Sequence, residues 1–336
     1  MVMKINCKRS ELNLLCTLSG GQSFRWREEN GKWIGGFAER IWILHQEDDF
    51  VFYEVYEKSS QGEGRKNDKS INYLKKSSDT ESTNALLTRY FRLNDINLEK
   101  SYDEWSSRDK HFKDVCSNFR GIRILDQDPV ENVFSFICSS NNNISRISSM
   151  VQKMCSLFGE EISVNGKKYY DFPSVSSLAD PVVEKQLRSA GFGYRAQYVH
   201  QSAVKLTELG GEKWLENLKS LSYDDARQQL MLLPGVGAKV ADCVCLMSLG
   251  FLGAVPVDTH IFQVAAQWYL PSLRNSKTVT PRIHKEVGDF FRQLYGPYAG
   301  WAHTILFCSS LKTFAAPTKR KSIEESKKKQ TKKKIM

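Results

Sequence analysis

Long apolar runs are missing. Nothing in the 336 residues approaches the ~18–20 apolar positions of a membrane-spanning helix, so none is expected. Met1 to Leu18 has neither a continuous apolar stretch nor a small-residue cleavage site, so it is not read as a signal peptide. Paired cysteines are missing too. Cys7, Cys16, Cys116, Cys138, Cys155, Cys243, Cys245 and Cys308 include no CxxC, and their spacing fits neither zinc nor an iron–sulfur cluster. Reduced, mostly buried thiols in an intracellular compartment are expected, with no metal and no cofactor. Positive charge is scarcer in the body than the net +10 suggests. Residues 317–336 carry nine Lys and Arg against Glu324 and Glu325, leaving about +3 for the rest. Total charge is therefore weak evidence for nucleic-acid binding by the folded part. There is no internal repeat.

What is present divides into two halves and a tail. The N-terminal part, 1–113, reads as an antiparallel β meander. Ser23 to Arg27 is followed by Asn30-Gly31, a hairpin signal. Lys32–Phe37, Arg40–Gln46 and Phe50–Tyr56 are then rich in aromatic and β-branched residues. Residues 57–83, polar and rich in Ser, Lys and Gly, read as a disordered insertion. A helix is expected over Asn84–Leu93. From 114 to 315 the pattern is helical. Asp128-Pro129-Val130-Glu131 combines a cap, a first-turn proline and a glutamate three after the cap. Further helices are expected up to Gly159, from Asp180 to Gly191, over Tyr194–Leu209, 223–232 and 238–249, from Asp258 to about Leu270, and near 281–294 and 298–311. A basic, disordered tail fills 316–336.

The most informative string is Leu232-Leu233-Pro234-Gly235-Val236-Gly237-Ala238-Lys239-Val240-Ala241-Asp242, within a helical pair over 222–249. Pro234 and Gly235 end one helix, and Gly237 allows close backbone approach. The next helix then offers free N–H groups and a positive dipole end, a phosphate site that reads no base sequence. A plain tight turn would look similar. Lys239 adds chemistry: an amine can displace a base from the anomeric carbon and remain as a Schiff base, provided it is first neutral. Burial and a helix N-terminus both favour the neutral form. Asp258, after Val255-Pro256-Val257, is a natural N-cap. A carboxylate there could also stabilise a developing oxocarbenium ion. His260 could donate to a phosphate.

Leu-Pro-Gly-Val-Gly followed by Lys-Val-Ala resembles the helix-hairpin-helix of DNA glycosylases. Four further strings carry a closer resemblance: Gly21-Gln22-Ser23-Phe24-Arg25-Trp26, Ser139-Ser140-Asn141-Asn142-Asn143-Ile144, Gly193-Tyr194-Arg195-Ala196, and Gly296-Pro297-Tyr298-Ala299-Gly300-Trp301-Ala302. From about Glu11 to Leu311 the chain resembles the eukaryotic 8-oxoguanine DNA glycosylases. The resemblance implies an α+β fold, an antiparallel domain like half of a TATA-binding protein packed on a helical domain. It implies a bifunctional glycosylase and lyase acting on damaged duplex DNA by base flipping, as a monomer.

Roles follow from the same resemblance. Lys239 would be the nucleophile and Asp258 its helper. The Gly21 carbonyl would accept the N7 proton of the oxidised base and repel the N7 lone pair of guanine. Phe307 and Cys243 would sandwich the base, with Met247 lining the pocket. Asn141 would fill the vacated stack, Tyr194 would wedge it, and Arg146 and Arg195 would hold the orphaned cytosine. Gly235, Gly237 and His260 would meet the backbone. Two positions depart from the family pattern. His303 stands where glutamine reads the Watson–Crick edge, which suggests pH dependence near 6.5. Ser310 stands where an aspartate is expected. Rival readings remain: adenine or thymine-glycol glycosylases carry a four-cysteine loop absent here, alkylpurine glycosylases lack the lysine, and a non-catalytic module would need neither Lys239 nor Asp258. Lys319–Lys321 and Lys332–Lys334 suggest a nuclear address, and mitochondrial targeting is not supported.

Overall fold

The computed structural model describes residues 2–58, 72–77, 79–164, 166–311 and 314. Its strands are β1 (Met3–Asn6), β2 (Arg27–Glu29), β3 (Lys32–Phe37), β4 (Arg40–Glu47), β5 (Phe50–Lys58), β6 (Asn72–Lys76), β7 (Glu161–Val164) and β8 (Lys167–Tyr170). They form one sheet in the order β2-β3-β4-β5-β6-β7-β8, with β1 also on β5. All pairings are antiparallel except β6 with β7. The Asn30-Gly31 turn has φ of 53° and 75°, the left-handed pair that a two-residue hairpin needs.

Alternation gives the sheet two apolar faces. Trp42 pairs with Val55 and Leu44 with Tyr53, all fully buried. They pack with Leu87, Tyr90 and Phe91 from the helix Thr80–Tyr90 and its end. On the opposite face Ile34, Ile41 and Tyr56 meet Ile162, Val164 and Tyr169. A larger apolar core runs from Cys16 and Phe24 through the helices to Cys308, so both halves of the sequence share it.

Helix starts follow the expected caps. Asp128 accepts the Glu131 N–H at 2.9 Å, and Pro129 takes the first position. The Glu131 side chain does not reach back to close a capping box. It pairs with the buried Arg25 at 2.9 Å, tying the Phe24–Trp26 string to the helix Pro129–Ile137. That helix lies antiparallel to Ala238–Met247. Gln127 N–H meets the Met247 carbonyl at one end, and Lys239 meets Ser139 at the other.

Several expectations need correction. Ser23–Trp26 is not strand; pairing begins at Arg27. The segment 57–83 is not wholly disordered. β5 runs to Lys58, β6 occupies 72–76, and a helix starts at Thr80. Residues 59–71 and the basic tail beyond 314 lie outside the described residues. The helices Leu98–Arg108 and Lys110–Cys116 and the β7–β8 hairpin were not foreseen. After Asp258 the helix is regular only over Thr259–Val264, then widens to a π turn over Ala265–Tyr269. Among the described residues no helix is long and apolar enough to cross a membrane, and no group of three or more His, Cys, Asp or Glu could hold a metal.

Candidate active site

The hairpin places Lys239 in the first turn of Ala238–Met247. Gly235 turns the chain with φ of 82°, and a Cβ there would lie 2.7 Å from Tyr198, so only glycine fits. Ser202 Oγ donates to the Pro234 carbonyl at 2.5 Å and fixes the turn from below. Gly237 is exposed, with nothing near its Cβ position, and no side chain caps the helix. The helix start is thus left without a side-chain cap, as a phosphate site requires.

Lys239 is half-buried. Its Nζ donates to Ser139 Oγ at 3.1 Å and lies 4.7 Å from the centre of the Phe136 ring. Cys243, one turn on, is 2% exposed. Burial pushes its thiol up to about 12; the Lys239 charge opposes that rise, and Asp242 and Asp258 add to it. Cys243 is thus a neutral thiol beside the amine. Asp258 caps Thr259–Val264, its Oδ1 accepting the Ile261 N–H at 2.9 Å. Its charge reaches both Cys243 and His303, which brings Lys239, the carboxylate and helix Ala299–Ser310 to one place.

Gly21 approaches the same place from the N-terminal half. Its φ is 81°, and a Cβ would lie 3.0 Å from Ile144 Cδ1 and 3.6 Å from Phe307 Cε1. Gln22, 1% exposed, anchors it by donating to the Arg123 carbonyl at 2.7 Å and accepting from Leu125 N–H at 3.1 Å. Gln127 bonds the Gln22 carbonyl through Nε2 and the Met247 carbonyl through its backbone N–H. Phe307 is half-buried and meets the exposed His260 edge-on, with ring centres 5.8 Å apart. Met247 is 6% exposed at the end of the Lys239 helix.

A third group surrounds the asparagine run. Asn141 is exposed at φ 46°. Tyr194, 48% exposed, donates through its hydroxyl to the Ser140 carbonyl at 3.2 Å. Arg195 is 4% exposed and gives Nη2 to the carbonyls of Ser140 and Asn141, at 2.5 and 3.1 Å. In this conformation its guanidinium is engaged by the loop. Arg146 is exposed, and Asn143 caps its helix by accepting the Arg146 N–H at 3.0 Å. Two cavities of about 570 and 730 Å³ lie elsewhere; Lys239, Asp258 and Phe307 line neither.

Residues 4–133 match the family described as the 8-oxoguanine DNA glycosylase N-terminal domain. Residues 134–288 match the HhH-GPD superfamily of base excision DNA repair proteins. An N-glycosylase/DNA lyase OGG1 of Arabidopsis thaliana is 36% identical, over 90% of this chain and 78% of its own. The chain belongs to the 8-oxoguanine DNA glycosylase family. An N-glycosylase/DNA lyase of Saccharomyces cerevisiae is 35% identical over 96% of this chain and 90% of its own. Among solved structures, the Clostridium acetobutylicum 8-oxoguanine glycosylase/lyase, bound to double-stranded DNA with cytosine opposite 8-oxoguanine, superposes with a TM-score of 0.71. It is 28% identical, over 92% of this chain and 96% of that one.

Within this family frame, His303 is corrected. It lies 5% exposed in the helix Ala299–Ser310, one turn before Phe307. Burial pushes it down to about 4, against the opposing pull of the Asp258 charge and the carbonyls of Pro256 and Gly300. It is therefore neutral from pH 5.5 to 8, and the expected titration near 6.5 does not occur there. Ser310, at the other departure, donates to the Phe307 carbonyl at 2.7 Å.

Ser139, Phe136 and Gln22 were missed as site residues. Ser139 and Gln22 stand inside two of the quoted strings, yet no spacing rule links residues a hundred positions apart. A further anchor was also unforeseen. Asp242, 1% exposed behind Lys239, takes hydrogen bonds from Tyr223 at 2.7 Å and Arg227 at 2.8 Å and contacts His284 Nε2 at 2.5 Å.

Proposed function

We propose that this protein excises 8-oxoguanine opposite cytosine from duplex DNA and cleaves the strand at the resulting site. The observation that carries the reading is the convergence of Lys239, Asp258, Gly21 and Phe307 in a member of this family. A flipped nucleotide would present C1′ to Lys239. The neutral amine forms the N–C bond as the glycosidic bond breaks, and the electron pair leaves with the base. Asp258 offsets the positive charge that develops on the sugar. Ring opening leaves an iminium on Lys239, and loss of a C2′ proton expels the 3′ phosphate. On this reading the Gly21 backbone meets the base; its φ of 81° and the 3.0 Å from a Cβ to Ile144 Cδ1 support glycine there.

The damaged duplex is the substrate, and the first-turn N–H groups after Gly237, His260, Arg146 and the Asn141 loop are its contacts on this reading. Borohydride is expected to trap a covalent adduct on duplex with 8-oxoguanine opposite cytosine. Lys239→Gln is expected to abolish it, and an undiminished adduct from that variant would remove the assignment. Duplexes with other damaged bases, run in parallel, separate this reading from its glycosylase rivals. We also infer a nuclear location from the Lys/Arg clusters of 319–334 and a monomer as the working form. Imaging of a tagged full chain with and without 317–336 tests the first, and light scattering tests the second.

A further inference from the structure

The amine of Lys239 rests on Ser139, a residue to which the proposed reaction gives no role. Nζ donates to Ser139 Oγ at 3.1 Å. The one hydroxyl proton of Ser139 is committed elsewhere, since Oγ donates to the Phe136 carbonyl at 2.7 Å. Its lone pairs are thus left to the amine, and the direction of the contact is fixed: lysine gives, serine accepts. Phe136, whose carbonyl orients that hydroxyl, also sets its ring face 4.7 Å from Nζ. Serine and phenylalanine together define where the amine sits. Its titratable neighbours are Cys243, one turn on along the same helix and sharing a hydrogen bond with the amine, and Asp258 from another element.

Ser139 also begins the loop that meets DNA on the proposed reading. The next two residues, Ser140 and Asn141, are held by their carbonyls to Arg195, and Ser140 also to Tyr194. A polar path therefore runs from the Tyr194-Arg195 pair, through three consecutive loop residues, to the amine. Nη2 of Arg195 serves both carbonyls, so a base edge that takes this nitrogen releases them, whereas one met through Nη1 leaves them held. Any shift of Ser140 and Asn141 moves the residue next to them.

We propose that Ser139 is a positioning residue for Lys239, coupling the placement of the amine to the state of the Asn141 loop. Insertion of the loop into the duplex and aiming of the amine are then one movement, so attack is confined to a helix already opened. The inference rests on the reading that Lys239 is the nucleophile.

The test uses the full chain and a duplex with 8-oxoguanine opposite cytosine. Ser139→Ala is expected to slow single-turnover excision about tenfold, the effect of one lost hydrogen bond. Its affinity for a duplex with a non-cleavable abasic analogue is expected to stay within about twofold, and its melting temperature to be unchanged. Ser139→Thr keeps the hydroxyl and is expected to recover most of the rate. Combined with Arg195→Ala, Ser139→Ala is expected to slow the reaction by less than the product of the two single effects. A Ser139→Ala rate equal to wild type overturns the proposal, as does equal loss in the alanine and threonine variants. Multiplicative single effects overturn the coupling. Absence of a borohydride adduct from wild type would instead overturn the nucleophile assignment on which the proposal rests.

Discussion

A histidine buried in its neutral form makes stability depend on pH. His303 is neutral in the folded protein down to about pH 4, whereas an unfolded histidine takes a proton near 6.5. Between those values the unfolded state binds more protons, so stability falls as pH falls from 6.5 toward 4, by about 1.4 kcal/mol per unit for this group. Glutamine cannot titrate. His303→Gln is therefore expected to lose less thermal stability than wild type between pH 7 and 4.5, and parallel melting curves would contradict this. The cap at Asp258 and the turn at Gly235 were legible in the sequence because each acts within one turn of the chain. The state of His303 was not, because burial is set by residues from three separate stretches.

At the scale of elements, the hairpin helix is the part that must not move. Tyr223 and Arg227 on the preceding helix and His284 on a distant one all converge on Asp242, which lies three residues beyond Lys239. The Asp242 carboxylate is buried, so removing its charge leaves Arg227 without its partner and weakens three contacts at once. Breaking such a buried pair typically costs about 3–5 kcal/mol. Asp242→Asn is expected to lower the melting temperature by many degrees and to slow excision even well below the new midpoint. Unchanged stability would show that the cluster is not an anchor. The turn and caps of this element were readable, since Pro, Gly and Ser act on their own neighbours. Its orientation was not, because Asp242 finds His284 across 42 positions. The β7–β8 hairpin is a different failure. Val164-Asn165-Gly166-Lys167 carries a hairpin signal, but a helical context on both sides hid it.

For the whole molecule, the division into a β half and a helical half was readable from the change of period, and the family frame agrees with it. The sequence did not show how far the halves interpenetrate. The helical half supplies two strands to the sheet, and the N-terminal half supplies Cys16 and Phe24 to the helical core. A single calorimetric transition is therefore expected for the intact chain, with calorimetric and van't Hoff enthalpies in agreement. Two resolved transitions would show that the halves unfold separately.

The seam between β6 and β7 also sets an order of events during synthesis. Asn72 pairs with Ile162, ninety positions later, so the sheet stays incomplete until the chain has been made well into its helical half. Until then β6 offers a row of unpaired N–H and C=O groups, a template for pairing with another nascent chain. Premature termination between Lys76 and Glu161 would thus yield a fragment prone to stick to its own kind, whatever repair chemistry it had lost.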